Sequence, residues 1–127
     1  MPNTTNLRKK TTKKILVIED EGEMGLLLNL FLDEKDMYLD YVKDISSAEK
    51  YLQKEQPSVI ILDNRLPDGF GVDFIGYIKK NHPSVKIIMI SGFSFVRDLA
   101  LEKGADAFLE KPFSKSEFYN SIAGFLK

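Results

Sequence analysis

Glu19, Asp20, Asp63, Ser91 and Lys111 are the residues of this 127-residue chain whose types and spacing could do chemistry together. Each lies within two residues of the end of a short apolar run: residues 15–18, 59–62, 87–90 or 107–109. Three carboxylates drawn together repel, or are driven to protonate, unless a cation resolves them. One candidate cation is a hard divalent metal. Mg²⁺ binds through oxygen, using one or two carboxylates with waters and phosphate oxygens. The other is Lys111. Metal and lysine together can neutralise a phosphoryl group in transfer, with a carboxylate as the attacking group. Ser91 could donate its hydroxyl to a phosphoryl oxygen.

That chemistry requires elements that deliver these residues to one place. Val59, Ile60, Ile61 and Leu62 are consecutive apolar residues, three of them β-branched, as in a strand buried on both faces. Pro57 before the run, and Pro67, Gly69 and Gly71 after it, argue against a helix. Strand-like runs alternate with helical stripes five times, the weaker run 38–42 reading as a sheet edge. The first stripe is Met24, Leu27, Leu28, Phe31 and Leu32. Ser46 or Ser47 can cap a second helix with Ala48, Tyr51 and Leu52 facing in. Phe74, Ile75 and Ile78 mark a third. Phe95, Val96, Leu99 and Ala100 mark a fourth, stopped by Gly104. Ser114 and Glu117 are spaced as a capping box for the last, with Phe118, Ile122, Phe125 and Leu126 inward.

Strict alternation implies an α/β fold: a doubly wound, flavodoxin-like parallel sheet of five strands, order 2-1-3-4-5, with five helices. Strands 1 and 3 then flank the switch point, where ligands bind at the carboxyl edge. The acids after strand 1 and Asp63 after strand 3 share that crevice.

The bulk properties bound the rest. The length suits one domain, residues 14–127, after a flexible basic tail, residues 1–13. Five of the 18 basic residues and none of the 19 acidic ones lie in positions 1–14, so the body is acidic. An acidic body is not expected to bind nucleic acid directly. No apolar run is long enough to span a membrane. Without cysteine there is no disulfide framework and no thiolate site, which fits a reducing compartment. His82 reads as surface filler, Asp68 beside Gly69 as turn chemistry, and Asp33, Glu34 and Asp36 as a solvated helix end.

In this order the residues resemble the receiver domain of two-component response regulators. The matching stretches are Ile-Leu-Val-Ile-Glu-Asp-Glu (15–21), Leu62-Asp63 with Leu66-Pro67 and Gly71, Ile-Ile-Met-Ile-Ser-Gly (87–92) and Ala-Asp-Ala-Phe-Leu-Glu-Lys-Pro-Phe (105–113). The resemblance implies that Asp63 accepts a phosphoryl group in a Mg²⁺-dependent reaction and that Asp20 is the main metal-binding acid. Glu19, where the family usually has another aspartate, would reach the metal directly or through water. The backbone carbonyl of Arg65 would complete the protein's share of the shell. Ser91 and Lys111 would bind phosphoryl oxygens, Lys111–Pro112 would be a cis peptide, and Phe108 would be the aromatic switch. The implied donor is a phosphohistidine on a sensor kinase or phosphotransfer protein. The implied output is a face made by helix 4, strand 5 and helix 5, where Tyr119 and Leu101 could be exposed. That face would dock a downstream protein or a second copy, in the cytoplasm.

Arg65 and Phe93 stand beside the acceptor, and bulky Phe93 is expected to shield an acyl phosphate from water. The expected protein is a stand-alone phosphorylatable receiver, not an enzyme with turnover on other substrates; a piece of a longer regulator is the alternative. Two other functions compete. One is a receiver-like interaction module that never takes phosphate. The other is a Mg²⁺-dependent phosphatase with an aspartyl nucleophile, which would want an acid where Arg65 stands.

Overall fold

The computed structural model describes residues 13–31 and 37–126. Most of the expected basic tail, Leu32, and the expected solvated helix end at Asp33, Glu34 and Asp36 lie outside the described residues. Strands β1 (Lys13–Ile18), β2 (Met37–Val42), β3 (Val59–Asp63), β4 (Lys86–Ser91) and β5 (Ala107–Glu110) form one sheet, all pairs parallel, in the order β2-β1-β3-β4-β5. Helices α1 (Gly22–Phe31), α2 (Ile45–Lys54), α3 (Gly71–Asn81), α4 (Val96–Lys103) and α5 (Lys115–Ala123) alternate with them. The expected architecture holds, with β2 at one edge.

The two-residue period of a strand sorts its side chains into two cores. Leu16, Ile18, Ile60, Leu62, Ile87 and Met89 face the layer of α2, α3 and α4, meeting Ala48, Leu52, Phe74, Ile75, Ile78, Val96 and Ala100. Ile15, Val17, Val59, Ile61, Ile88 and Ile90 face α1 and α5, meeting Leu28, Phe118 and Ile122. Both faces of the three central strands are therefore dry. Burying such residues rather than leaving them in water favours folding by about 1.5–3 kcal/mol each.

Five local features depart from the expected pattern. Leu27 is 37% exposed, so the inward stripe of α1 narrows to Leu28 with partial help from Met24 and Phe31. Neither Ser46 nor Ser47 caps α2; the cap is Asp44, whose carboxylate accepts the Ser47 N–H at 2.8 Å. On α4 only Val96 and Ala100 are buried, while Phe95 (78% exposed) and Leu99 (43%) face outward, because this short helix touches the sheet along one narrow line. An antiparallel ribbon, Arg65–Leu66 against Gly69–Phe70, interrupts the passage from β3 to α3. Lys13 also opens β1, one residue before the expected domain start. The capping box of α5 forms as expected: Ser114 Oγ accepts the Glu117 N–H at 3.1 Å, and Glu117 accepts the Ser114 N–H at 2.8 Å.

Candidate functional site at the carboxyl edge of the sheet

Parallel strands end together, so β1, β3, β4 and β5 release their next residues at one rim. Register pairs Asp63 with Ile90 and Ser91 with Glu110, which puts Asp63, Ser91 and Lys111 on adjacent strand ends. The three meet at a cleft of about 390 Å³, with Asp20, Glu21 and Arg65 completing much of its wall.

Asp63 forms the floor and is only 4% exposed. Its Oδ1 accepts the Asn64 N–H at 2.8 Å. Asn64 closes the loop behind it, its Oδ1 accepting the Val72 N–H at 3.0 Å and its carbonyl the Gly71 N–H at 2.7 Å. Gly71 must lack a side chain, because a Cβ there would lie 2.2 Å from the Asp63 carbonyl oxygen. Lys111 Nζ donates to both Asp63 oxygens, at 3.2 and 3.1 Å, and lies 3.9 Å from Glu21 Oε1. Lys111–Pro112 is cis, as expected. The Lys111 N–H bonds the Ser91 carbonyl at 2.9 Å, locking β5's end to β4's. Ser91 is 2% exposed, and its hydroxyl oxygen accepts the Phe93 N–H at 3.0 Å. That contact leaves the hydroxyl hydrogen available to an oxygen in the cleft.

The acids after β1 separate into two roles. Asp20 is exposed and lines the cleft. Glu19 is 5% exposed and does not line it. Its carboxylate is turned into the loop, accepting the Glu21 N–H at 2.6 Å and the Gly25 N–H at 3.1 Å. Glu19 thus fastens the start of α1, where unsatisfied N–H groups favour an acid, rather than standing with Asp20 at the cleft. Glu21 is the residue missed in the sequence. It is the last acid of a Glu-Asp-Glu run, and that run was the signal available. Arg65 lies over the Phe93 ring at 6.0 Å, and both line the cleft. Phe108 is half-buried against the α2, α3 and α4 layer, paired in register with Met89.

Electrostatics single out the floor. Burial raises the Asp63 carboxyl above its ordinary value, against the opposing pull of the Lys111 charge and hydrogen bonds and of the Asn64 N–H. Burial likewise raises Glu19, against the N–H bonds from Glu21 and Gly25. Asp20, Glu21 and Asp63 share one cleft with Lys111 and Arg65, three acids against two cations, which leaves a surplus of negative charge. Among the described residues no three His, Cys, Asp or Glu side chains are grouped to hold a metal alone. Two cleft carboxylates in an oxygen-rich setting are nonetheless what Mg²⁺ uses, the remaining positions going to water. The donor set fits a hard dication.

Sheet order and site together define a class. The family model described as the response regulator receiver domain matches residues 15–123, and the chain belongs to that family. Among curated relatives it is 30% identical over 119 residues to the phosphate regulon transcriptional regulatory protein PhoB of Escherichia coli, covering 91% of this chain and 52% of PhoB. It is 31% identical to the alkaline phosphatase synthesis transcriptional regulatory protein PhoP of Bacillus subtilis, covering 91% of this chain and 49% of PhoP. The chain spans about half the length of these relatives, and 26% of the response regulator PilR of Pseudomonas aeruginosa, to which it is 29% identical over 91% of its own length. Among solved structures, the beryllofluoride-activated NtrC4 receiver domain dimer superimposes with a TM-score of 0.83 at 37% identity, covering 89% of this chain and 95% of that one. The receiver domain of the LuxO repressor from Vibrio parahaemolyticus gives 0.84 at 26%, covering 91% and 90%. No described helix is long and apolar enough to cross a membrane.

Proposed function

We propose that the chain is a phosphorylatable receiver that takes a phosphoryl group on Asp63 from a phosphohistidine of a sensor kinase or phosphotransfer protein. An Asp63 oxygen forms the new P–O bond as the P–N bond to the donor imidazole breaks, and the imidazole leaves with that electron pair. Asp20, Asp63 and the Arg65 carbonyl would hold Mg²⁺, which when bound neutralises phosphoryl oxygens. Glu19 contributes by fixing the loop that carries Asp20. Lys111 Nζ passes from Asp63 to a phosphoryl oxygen, and the Ser91 hydroxyl donates to another. Phe93, with Arg65 over its ring, shields the acyl phosphate from water.

Ser91 and Lys111 bind the phosphoryl group only in one arrangement, so phosphorylation shifts an existing equilibrium. Movement of Ser91 lets Phe108 turn inward and alters the face of α4, β5 and α5. That face then docks a protein target or a second copy of the chain, in the cytoplasm. The NtrC4 receiver relative was solved as an activated dimer, which supports the second-copy reading.

The observation that carries the proposal is a buried carboxylate at the floor of a cleft, held by one lysine and faced by further acid. Incubation with Mg²⁺ and acetyl phosphate or phosphoramidate, followed by intact mass, tests it. One added phosphoryl group, absent in Asp63→Asn, is expected. An unmodified wild type would favour an interaction module that never takes phosphate, and continuous hydrolysis of assorted phosphate esters would favour a phosphatase.

A further inference from the structure

Asp68 does not line the cleft, yet each oxygen of its carboxylate accepts a hydrogen bond. Oδ1 accepts the Ile45 N–H at 2.9 Å and Oδ2 the Ser46 N–H at 3.0 Å. These are the first two N–H groups of α2, from 22 and 23 residues earlier in the chain. Asp44 serves the next one, Ser47 N–H, and its carbonyl takes the Ala48 N–H. The end of α2 is therefore filled, and half its acceptors come from a distant loop.

That loop is the two-residue turn Pro67–Asp68 of the ribbon Arg65–Leu66/Gly69–Phe70. Gly69 has φ +154°, and a Cβ there would lie 3.0 Å from Ile45 Cδ1, so the turn presses directly onto α2. At its base the ribbon is closed by Asn64 onto Gly71 and Val72. At its tip Asp68 accepts the Ile45 and Ser46 N–H bonds of α2. Between those anchors sits Arg65, which lines the cleft and lies over Phe93.

We infer that Asp68 is a positioning residue: it pins the turn after the acceptor to the start of α2 and so fixes the Arg65 backbone at the cleft wall. Its consequence for metal binding rests on the receiver reading of Asp63; the pin itself does not. Partners that orient metal ligands from outside the shell typically matter by about tenfold or more in affinity.

Asp44→Ala is the matched control, since it removes an acceptor from the same helix end without touching the ribbon. Two readouts apply to wild type, Asp68→Ala and Asp44→Ala: amide hydrogen exchange of residues 65–70 without metal, and Mg²⁺ affinity by calorimetry. Asp68→Ala is expected to speed ribbon exchange and weaken Mg²⁺ binding about tenfold, whereas Asp44→Ala lowers Tm and changes neither. Asp68→Asn, which keeps one strong acceptor, should give intermediate exchange and serves if the alanine variant unfolds. Exchange at 65–70 unchanged by both Asp68 variants, or equally raised by Asp44→Ala, overturns the inference. Failure of the receiver reading would show separately, as a wild type that takes no phosphoryl group while the exchange result stands.

Discussion

An aspartate–lysine pair sits at each end of the sheet. At the amino end Asp106 accepts Lys79 Nζ and the Ile87 N–H, at 3.0 and 2.9 Å, with Lys86 Nζ 4.0 Å away. At the carboxyl end Asp63 accepts Lys111 Nζ at 3.1–3.2 Å and the Asn64 N–H at 2.8 Å. The hydrogen bonds at the two ends nearly match. The surroundings do not: Asp106 has two lysines to itself, whereas Asp63 shares one with Glu21 and faces Asp20 in the same cleft. The Asp63 side chain is also drier, 6% exposed against 22%. A pair with cationic surplus ties elements together; a pair with anionic surplus leaves room for another cation and for a phosphoryl group.

The contrast can be broken most forcefully at Lys111. Lys111→Ala removes a charge-assisted hydrogen bond of about 1.5–3 kcal/mol, so phosphoryl incorporation should slow about 10–100-fold. Lys79→Ala, at the other end, should leave that rate unchanged. Quantified phosphorylation time courses read both.

Stability should respond with opposite signs to one substitution. Asp106→Asn loses its ion pairs and should lower stability by about 1 kcal/mol. For Asp63 the folded carboxyl value lies above the unfolded one. The folded state then binds the proton more tightly, favouring folding at low pH, and this advantage is lost as pH rises through the folded value. Above it the ionised acid is a net cost, even with Lys111 present. Asp63→Asn should therefore raise Tm at neutral pH by about 2–5 °C, a gain that fades on acidification to below the ordinary carboxylate range. Thermal melts across pH check both signs.

The smallest effect is expected at the cleft wall. Phe93 is 45% exposed and touches Phe95 at 5.4 Å, so it screens water only in part. Phe93→Ala should shorten the acyl phosphate lifetime about two- to fivefold by admitting water, read by phosphate release. An unchanged half-life would remove the shielding role.

Much of this was legible in the chain because parallel sheets write themselves plainly. Apolar runs, three of them buried on both faces, ended at or just before Asp20, Asp63, Ser91 and Lys111, and their order brought those ends to one rim. The Ser114–Glu117 box was local and formed as read. What escaped was non-local or one-sided. Asp68 caps a helix more than 20 residues upstream, which no spacing rule detects. Glu19 and Asp20 are adjacent acids of similar chemistry, and only the fold turns one into the loop and the other into the cleft. Phe95 and Leu99 fit a helical stripe by spacing, yet α4 offers its layer a line too narrow to bury them. Leu26 and Leu30, 65% and 63% exposed, lay off the inward stripe of α1, where spacing had no use for them.

Adding Mg²⁺ and beryllofluoride, a phosphoryl mimic, while recording amide spectra of the wild type, Asp63→Asn and Asp106→Asn puts the two ends in direct competition. Phosphoryl acceptance at Asp63 predicts saturable shifts at Asp63, Ser91 and Lys111, spreading to α4, β5 and α5, in the wild type and Asp106→Asn and none in Asp63→Asn. Shifts centred on Asp106, or a wild-type spectrum that does not move, would contradict it.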